Sequence, residues 1–286
     1  MLVRGLFYVA VAAATWATGG AVAAVLYRTS GLGPLAVSFW RFVVAIAVLA
    51  VVGRFSVQMG NWRRAAALGF GLAVYQTAYY GSVEAAGLAV ATVITLGAGP
   101  VLIAVGARVL LDERLSRTGA ASVAVAVVGL LLLIGVPAPA GPSPALGVAL
   151  ALLSAAGYSA VTLYTRAGRD DATQPGMVAG FVWGALWLLP LAAVEGLRPG
   201  VGAVGWLLYL GAVPTALAYG LFFAGLRMVP ATTASVVALV EPVTAALIAV
   251  ALLGEQVTVT TVIGSTLMLG AVALLAADAR HTPGPA

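Results

Sequence analysis

Two charged residues stand inside long apolar runs: Arg41 in FWRFVVAIAVLAVV and Glu241 in ASVVALVEPVTAALIAV. An arginine in a run that crosses a bilayer costs roughly 2.5–3.5 kcal/mol on insertion scales, so it needs a partner or a cavity. Arg41 could accept a carboxylate and Glu241 an ammonium, which would suit a zwitterionic solute. They could equally pair with each other or with backbone and hold helices together. Polar residues recur around them at helical spacing. Ser154, Tyr158, Thr162 and Thr165 are four, four and three apart, which places them on one helix face. Gln76, Thr77, Tyr80 and Glu84 fall within an arc of about 100°. Such stripes face protein or water, or form interhelical hydrogen bonds worth about 0.6 kcal/mol each. Trp16, Tyr79, Trp183 and Tyr219 could wall an amphipathic solute, although each alone also fits a packing or interfacial role.

Much other chemistry is excluded by composition. There is no cysteine, hence no disulfide, thiolate nucleophile or Cys-ligated zinc. The single histidine, His281, lies near the C-terminus, so His-based metal sites and triads are excluded as well. All fourteen basic residues are arginine, and without a lysine no Walker motif can be completed. No cofactor and no metal are expected.

The elements that must position these residues follow from hydropathy. Of 286 residues, 62% are apolar and only 8% charged, against roughly 25% charged in a soluble domain. With its 35 glycines, the chain holds enough lipid-tolerant residues for about ten spans of about 20 residues. Cutting at Gly, Pro and charge gives spans at 6–27, 34–53, 65–82, 88–111, 117–136, 145–165, 176–194, 202–226, 231–253 and 258–277. A β-barrel would need alternation, and runs such as Val123–Ile134 show none. Arg4 and the run after it resemble a signal peptide, but that run is too long for one and is read as a mature helix.

Ten spans put both termini on one side. Eleven arginines then share that side, and only Arg28 and Arg198 fall opposite, which makes the shared side cytoplasmic. The pI near 9.9 therefore reflects orientation, and nucleic acid is the weaker reading of the charge.

The chain also repeats. An offset of 142 residues brings Pro100 onto Pro242, Glu113 onto Glu255, Gly69 onto Gly211 and Trp16 onto Tyr158. Each repeat holds five spans, an odd number, so the second enters the membrane from the opposite face. Inverted repeats around a central site are a recurring plan of secondary transporters. The expected domains are a first repeat at 1–136, an external linker at 137–144 (PAPAGPSP), a second repeat at 145–280 and a cytoplasmic tail at 281–286. Pro100 and Pro242 leave the carbonyls of Leu96 and Ala238 without a helical donor. These breaks read as hinges or as static kinks, and Gly97 and Gly99 make span 4 the more flexible of the two. Arg41 aligns with Trp183 and Glu241 with Gly99, so neither charge is demanded by the shared architecture. Glu113 and Glu255 are duplicated and fit a structural role at helix ends.

The segments YYGSVEAAGLAVATVITLGAGPVLIAVGARVLLDERLS and LFFAGLRMVPATTASVVALVEPVTAALIAVALLGEQVT carry a mid-helix proline followed by a glutamate just past the helix end. In this the chain resembles the EamA family of the drug/metabolite transporter superfamily, and Trp-Arg-Phe at 40–42 is similar to that family's helix 2 arginine. Asp112-Glu113-Arg114 departs from the usual Gly-Glu. The resemblance implies an all-α integral membrane protein of ten helices, export or exchange of small metabolites, and a cavity lined by spans 1–4 and 6–9. Spans 5 and 10 would be peripheral.

The favoured function is a secondary transporter of an amino-acid-like or amphipathic solute, not an enzyme, in a bacterial inner membrane. A proton bound at Glu241 is a candidate coupling ion. Two other classes remain in view. A membrane enzyme acting on a lipid-linked substrate would need clustered catalytic groups, and the acidic doublets Asp112/Glu113 and Asp170/Asp171 sit among arginines. An ion channel would need a ring of carbonyls or charges. Small residues such as Ala120, Ala124, Thr261 and Ser265 permit a weak homodimer but do not require one.

Overall fold

The computed structural model describes residues 2–52, 61–113, 115–135, 142–168, 176–253 and 258–281. Every regular element among these residues is helical. Spans 1 to 7 are α1 (Leu2–Thr29), α2 (Pro34–Val52), α3 (Trp62–Ala86), α4 (Leu88–Leu110), α5 (Arg117–Ile134), α6 (Pro144–Ala167) and α7 (Met177–Glu195). Span 8 runs through α8 (Val204–Gly211), a π-helical turn (Ala212–Leu217) and α9 (Ala218–Leu226). Span 9 is α10 (Ala231–Ala238) followed by α11 (Val240–Leu253), and span 10 is α12 (Val259–His281).

Local chemistry sets the ends. The Asn61 side chain accepts from the Arg63 N–H at the start of α3, and Ser116 accepts from Gly119 N–H at the start of α5. Pro144 opens α6, where its missing N–H costs nothing. Between α3 and α4 the joint is a single residue, Gly87, at φ +93°, a conformation side-chain-bearing residues rarely adopt.

Nine helices among the described residues are long and apolar enough to cross a membrane. The other span, α3, has the length at 25 residues but is diluted by Arg63, Arg64, Gln76, Thr77, Ser82 and Glu84. It is packed against α4, α6 and α7, where Gln76 and Ser82 are buried, while Arg63, Arg64 and Glu84 are exposed towards its ends. Ser82 Oγ donates to Gly147 O (2.7 Å) and Ser154 Oγ donates to Tyr75 O (3.0 Å), joining spans 3 and 6.

Two spans differ from the uninterrupted helices expected. In span 8, Pro214 cannot donate to Leu210 O, and the turn opens to π geometry. In span 9 the helix is interrupted at Leu239, three residues before Pro242. Span 4 stays continuous through Pro100, although its glycines made it the more flexible by sequence.

The packing repeats with the sequence. Span 6 packs on spans 3 and 4, and span 1 packs on their counterparts, spans 8 and 9. Spans 2 and 7, 4 and 9, and 5 and 10 each pair with their own counterpart, so the pseudo-twofold axis runs between them. Close approaches obey the same offset. Gly147 lies against Ala86, and Gly5 lies against Met228, each partner 142 residues from its equivalent. Phe42 packs on Gly184, its own counterpart. Gly129 meets Met268, while Gly264 meets Leu133, so spans 5 and 10 run antiparallel. The N-terminus of α2 meets the C-terminus of α7 at Glu195, so spans 2 and 7 are antiparallel too. Equivalent helices therefore point opposite ways, and the repeats are inverted.

A Cβ at Gly264 would meet Gly129 O and Leu133 N, both 2.6 Å away and both backbone. Gly264→Ala should therefore cost about 1–3 kcal/mol. Gly270, with open space around it, should tolerate alanine. Thermal melts of the purified variants in detergent check this, with a lowered Tm for Gly264→Ala only.

Candidate functional site

A cavity of about 150 Å³ lies among spans 1, 2, 3, 4, 6, 8 and 9. Its wall contains Trp16, Arg41, Gln76, Tyr79, Tyr80, Tyr158, Tyr219 and Glu241, brought together from six spans. Leu96, Pro100 and Ala238 also line it. The residues whose carbonyls the two prolines strip of a helical donor thus border the cavity, where such groups are tolerated. Spans 5 and 10 pack on each other and supply no wall residue.

The aromatic part of the wall is held by ring contacts. Trp16 meets Tyr219 edge-on at 5.2 Å between ring centroids and Phe222 at 5.1 Å. Tyr75 meets Tyr158 at 5.8 Å, and Tyr79 meets Tyr80 at 5.5 Å. Tyr79 and Thr92 share a hydroxyl–hydroxyl bond of 2.9 Å, which ties span 3 to span 4 beside the cavity. Contacts of this kind add about 0.5–1.5 kcal/mol beyond burial and hold the rings in place.

The two charges differ in their surroundings. Arg41 Nε donates to Thr215 Oγ1 at 3.2 Å. Glu241 follows the break at Leu239, and among the described residues nothing hydrogen-bonds its carboxylate. Both are half-buried and interact electrostatically. Gln76, 5% exposed, also lacks a side-chain partner among the described residues. The cavity wall therefore combines an arginine bonded to Thr215, a carboxylate and an amide without side-chain hydrogen bonds among the described residues, and aromatic rings.

Several residues singled out by sequence lie elsewhere. The Cβ and backbone of Trp183 lie against Gly69, where spans 3 and 7 approach closely, and its indole approaches Trp62 at 6.3 Å, outside the cavity wall. Thr162 is fully buried and donates to Tyr158 O at 2.9 Å, one turn back on its own helix. Gly97 and Gly99 back onto Leu130 and the Tyr158 ring, outside the wall. Pro242 is buried just beyond Glu241. The α3 stripe divides: Gln76 and Tyr80 face the cavity, while Thr77 lies in a second, apolar groove with Phe70, Trp187 and Pro190. Glu84 is exposed. Tyr75 and Thr215 were not singled out. Tyr75 could have been found one turn before Tyr79, and Thr215 by its place after a mid-span proline.

Glu113 is at a helix junction. Its Oε1 accepts from Arg166 Nε at 2.8 Å and its Oε2 from the N–H of Ala231 at 3.0 Å, at the N-terminus of α10. Arg166 Nη1 also donates to Leu226 O at 2.9 Å, at the end of α9. One carboxylate of the first repeat thereby ties the ends of spans 6, 8 and 9. Glu255 lies outside the described residues, as do most of the linker and residues 282–286 of the tail. Sequence reasoning missed Glu195, which accepts from Leu35 N (2.8 Å) and Ala36 N (2.9 Å) and caps α2.

The EamA-like transporter family matches residues 3–135 and again residues 145–277. This chain belongs to that family. The second matched segment begins and ends 142 residues after the first, the same offset that superposes the prolines and glutamates. The chain is 30% identical over 285 residues to the Bacillus subtilis protein named "Uncharacterized transporter YwfM", covering 96% of this chain and 94% of that one. It is 26% identical over 262 residues to an uncharacterized transporter of Archaeoglobus fulgidus, covering 88% and 91%. A solved crystal structure superposes with a TM-score of 0.81 over 97% of this chain and 99% of that one, at 19% identity, which shows a shared fold. The EamA-like chain is thus a multi-pass membrane transporter.

The Glu113–Arg166 pair is largely shielded, with side chains 17% and 11% exposed. Glu113→Ala should cost about 2–3 kcal/mol, because it strips both an ion pair and a helix cap. Glu113→Ala/Arg166→Ala should cost less than the sum of the single changes. Melting of the four proteins in one detergent gives the coupling, and strict additivity would refute the junction as described.

Proposed function

We propose that this transporter carries a small organic solute by alternating access of its inverted repeats, with the solute held between Arg41 and Glu241. The observation that carries the reading is the uncommitted Glu241 carboxylate, which shares a membrane-buried cavity with an arginine and an aromatic wall. Keeping a charge there is expensive unless it serves a solute or an ion. Opposite charges suit a zwitterion, the carboxylate on Arg41 and the ammonium on Glu241. The cavity size limits the solute. A cavity of about 150 Å³ suits an amino-acid-sized solute better than a nucleotide.

The wall favours one state. In α1 it reaches Ala23, close to Thr29, and in α4 it reaches Thr92, close to Leu88. At the opposite, arginine-rich end the Glu113–Arg166–Ala231 junction ties helices together. We read the arginine-rich end as cytoplasmic, the membrane as a bacterial inner membrane, the linker as external and this conformation as the outward-directed one. Export or exchange follows if the repeats then trade shapes. The proton is the coupling ion we propose, bound at Glu241 when the solute is absent. We propose a monomer as the working unit, with a weak dimer through spans 5 and 10 as the alternative.

A thermal-shift screen against amino acids, nucleosides and organic cations identifies a working solute, since a binder raises Tm by mass action. In proteoliposomes, Arg41→Ala and Glu241→Gln should each cut its transport tenfold or more, a loss of about 1.4 kcal/mol per decade. Folded variants with wild-type transport would overturn the reading. Wild-type flux should also respond to an imposed pH gradient and the Glu241→Gln variant should not. A wild-type flux indifferent to the gradient eliminates the proton.

A further inference from the structure

Thr215 is fully buried in the π turn of span 8, one residue after Pro214. Pro214 has no N–H, so the carbonyl of Leu210 loses its usual helical donor. The Thr215 hydroxyl takes that place, its Oγ1 donating to Leu210 O at 2.6 Å, five residues back. A hydroxyl has one proton to give. With that proton committed to Leu210, Oγ1 can only accept from other groups, and the group it meets is the Nε–H of Arg41. The widened turn therefore converts a threonine into an acceptor of fixed direction, aimed at the cavity arginine. The bond at Nε fixes the plane of the guanidinium against span 8, and a planar guanidinium of fixed direction is the group that recognises a carboxylate by paired hydrogen bonds.

The symmetry-related contact, between spans 7 and 3, lacks this device. At the 142-residue offset Arg41 becomes Trp183 and Thr215 becomes Ala73. The equivalent stretch of α3 is regular helix, and its counterpart to Pro214 is Leu72. Arginine, threonine and proline thus meet at the contact of span 2 with span 8, and all three are replaced at the symmetry-related contact of span 7 with span 3. Shared architecture does not require them.

We infer that Thr215 is a positioning residue for Arg41, and that the π turn makes the site prefer solutes with an anionic group facing spans 2 and 8. The inference rests on the assignment of Arg41 as the anion-binding group. Two probes separate the roles: L-leucine, and 3-methylbutan-1-amine, which is leucine without its carboxylate. Binding to the purified full-length protein is measured for wild type, Thr215→Val, Thr215→Ser, Arg41→Ala and the Arg41→Ala/Thr215→Val double variant.

Thr215→Val should weaken leucine about tenfold, the loss of one hydrogen bond to a charged group, and change the amine less than twofold. Thr215→Ser should restore leucine binding. In the Arg41→Ala background, Thr215→Val should add nothing. Equal weakening of both probes, or an undiminished effect without Arg41, makes Thr215 merely structural and overturns the inference. Arg41→Ala that leaves leucine binding unchanged overturns the Arg41 assignment itself, and this inference with it. If neither probe binds wild type, modification of Arg41 by phenylglyoxal, read by peptide mass spectrometry, decides. A rate in Thr215→Val at least threefold different from that in Thr215→Ser supports the tie, and equal rates overturn it.

Discussion

A polar group inside a bilayer has few places to go. It must be satisfied by protein or open onto a water-filled space, because lipid tails offer no partner. This constraint organises the molecule around its centre. Arg41, Glu241, Gln76 and the carbonyls freed by Pro100 and Pro242 come from distant parts of the chain, yet their residues border one cavity. The apolar remainder of each helix is then free to face lipid, as the many exposed Leu, Val and Trp side chains do.

Positioning comes from backbone contact between repeats. Glycines at 5, 69, 129, 147, 184, 211 and 264 leave no room for a side chain against the neighbouring helix. Close packing of small residues is the main attraction between helices in lipid, where no hydrophobic drive between them exists. The contacts of Gly5 and Gly147 are equivalent at the repeat offset, and Phe42 with Gly184 is its own equivalent, so the close packing follows the inverted repeat. Glu113 illustrates how a charge serves that frame: it joins spans 6 and 9 of the second repeat to the end of span 4, away from the cavity.

Much of this was legible in the sequence. Hydropathy located ten spans, and the proline and glutamate pairs revealed the repeat, since both signals depend on residue type and spacing alone. Eight cavity residues were also legible, because a polar or aromatic side chain in an apolar helix has few orientations. What escaped depended on neighbours. Trp183 has the same composition signal as Trp16, yet its ring lies beside Trp62 where spans 3 and 7 meet, away from the cavity wall. The π turn depends on how a span absorbs Pro214, and the cap on α2 depends on where Glu195 arrives in space. Pro100 and Pro242 look alike in sequence, yet only the second accompanies an interrupted helix.

The central claim is that one mid-membrane cavity serves both faces in turn. The chain contains no cysteine, so a single reporter needs no background removed. Ala238→Cys places a thiol on the cavity wall beside the interrupted helix. In proteoliposomes of known orientation, a membrane-impermeant maleimide should label it from either face when applied separately, and a bound solute should protect it from both. A thiol that never reacts would mean a closed centre, and one that solute cannot protect would mean a passage without a binding site; either result contradicts the account.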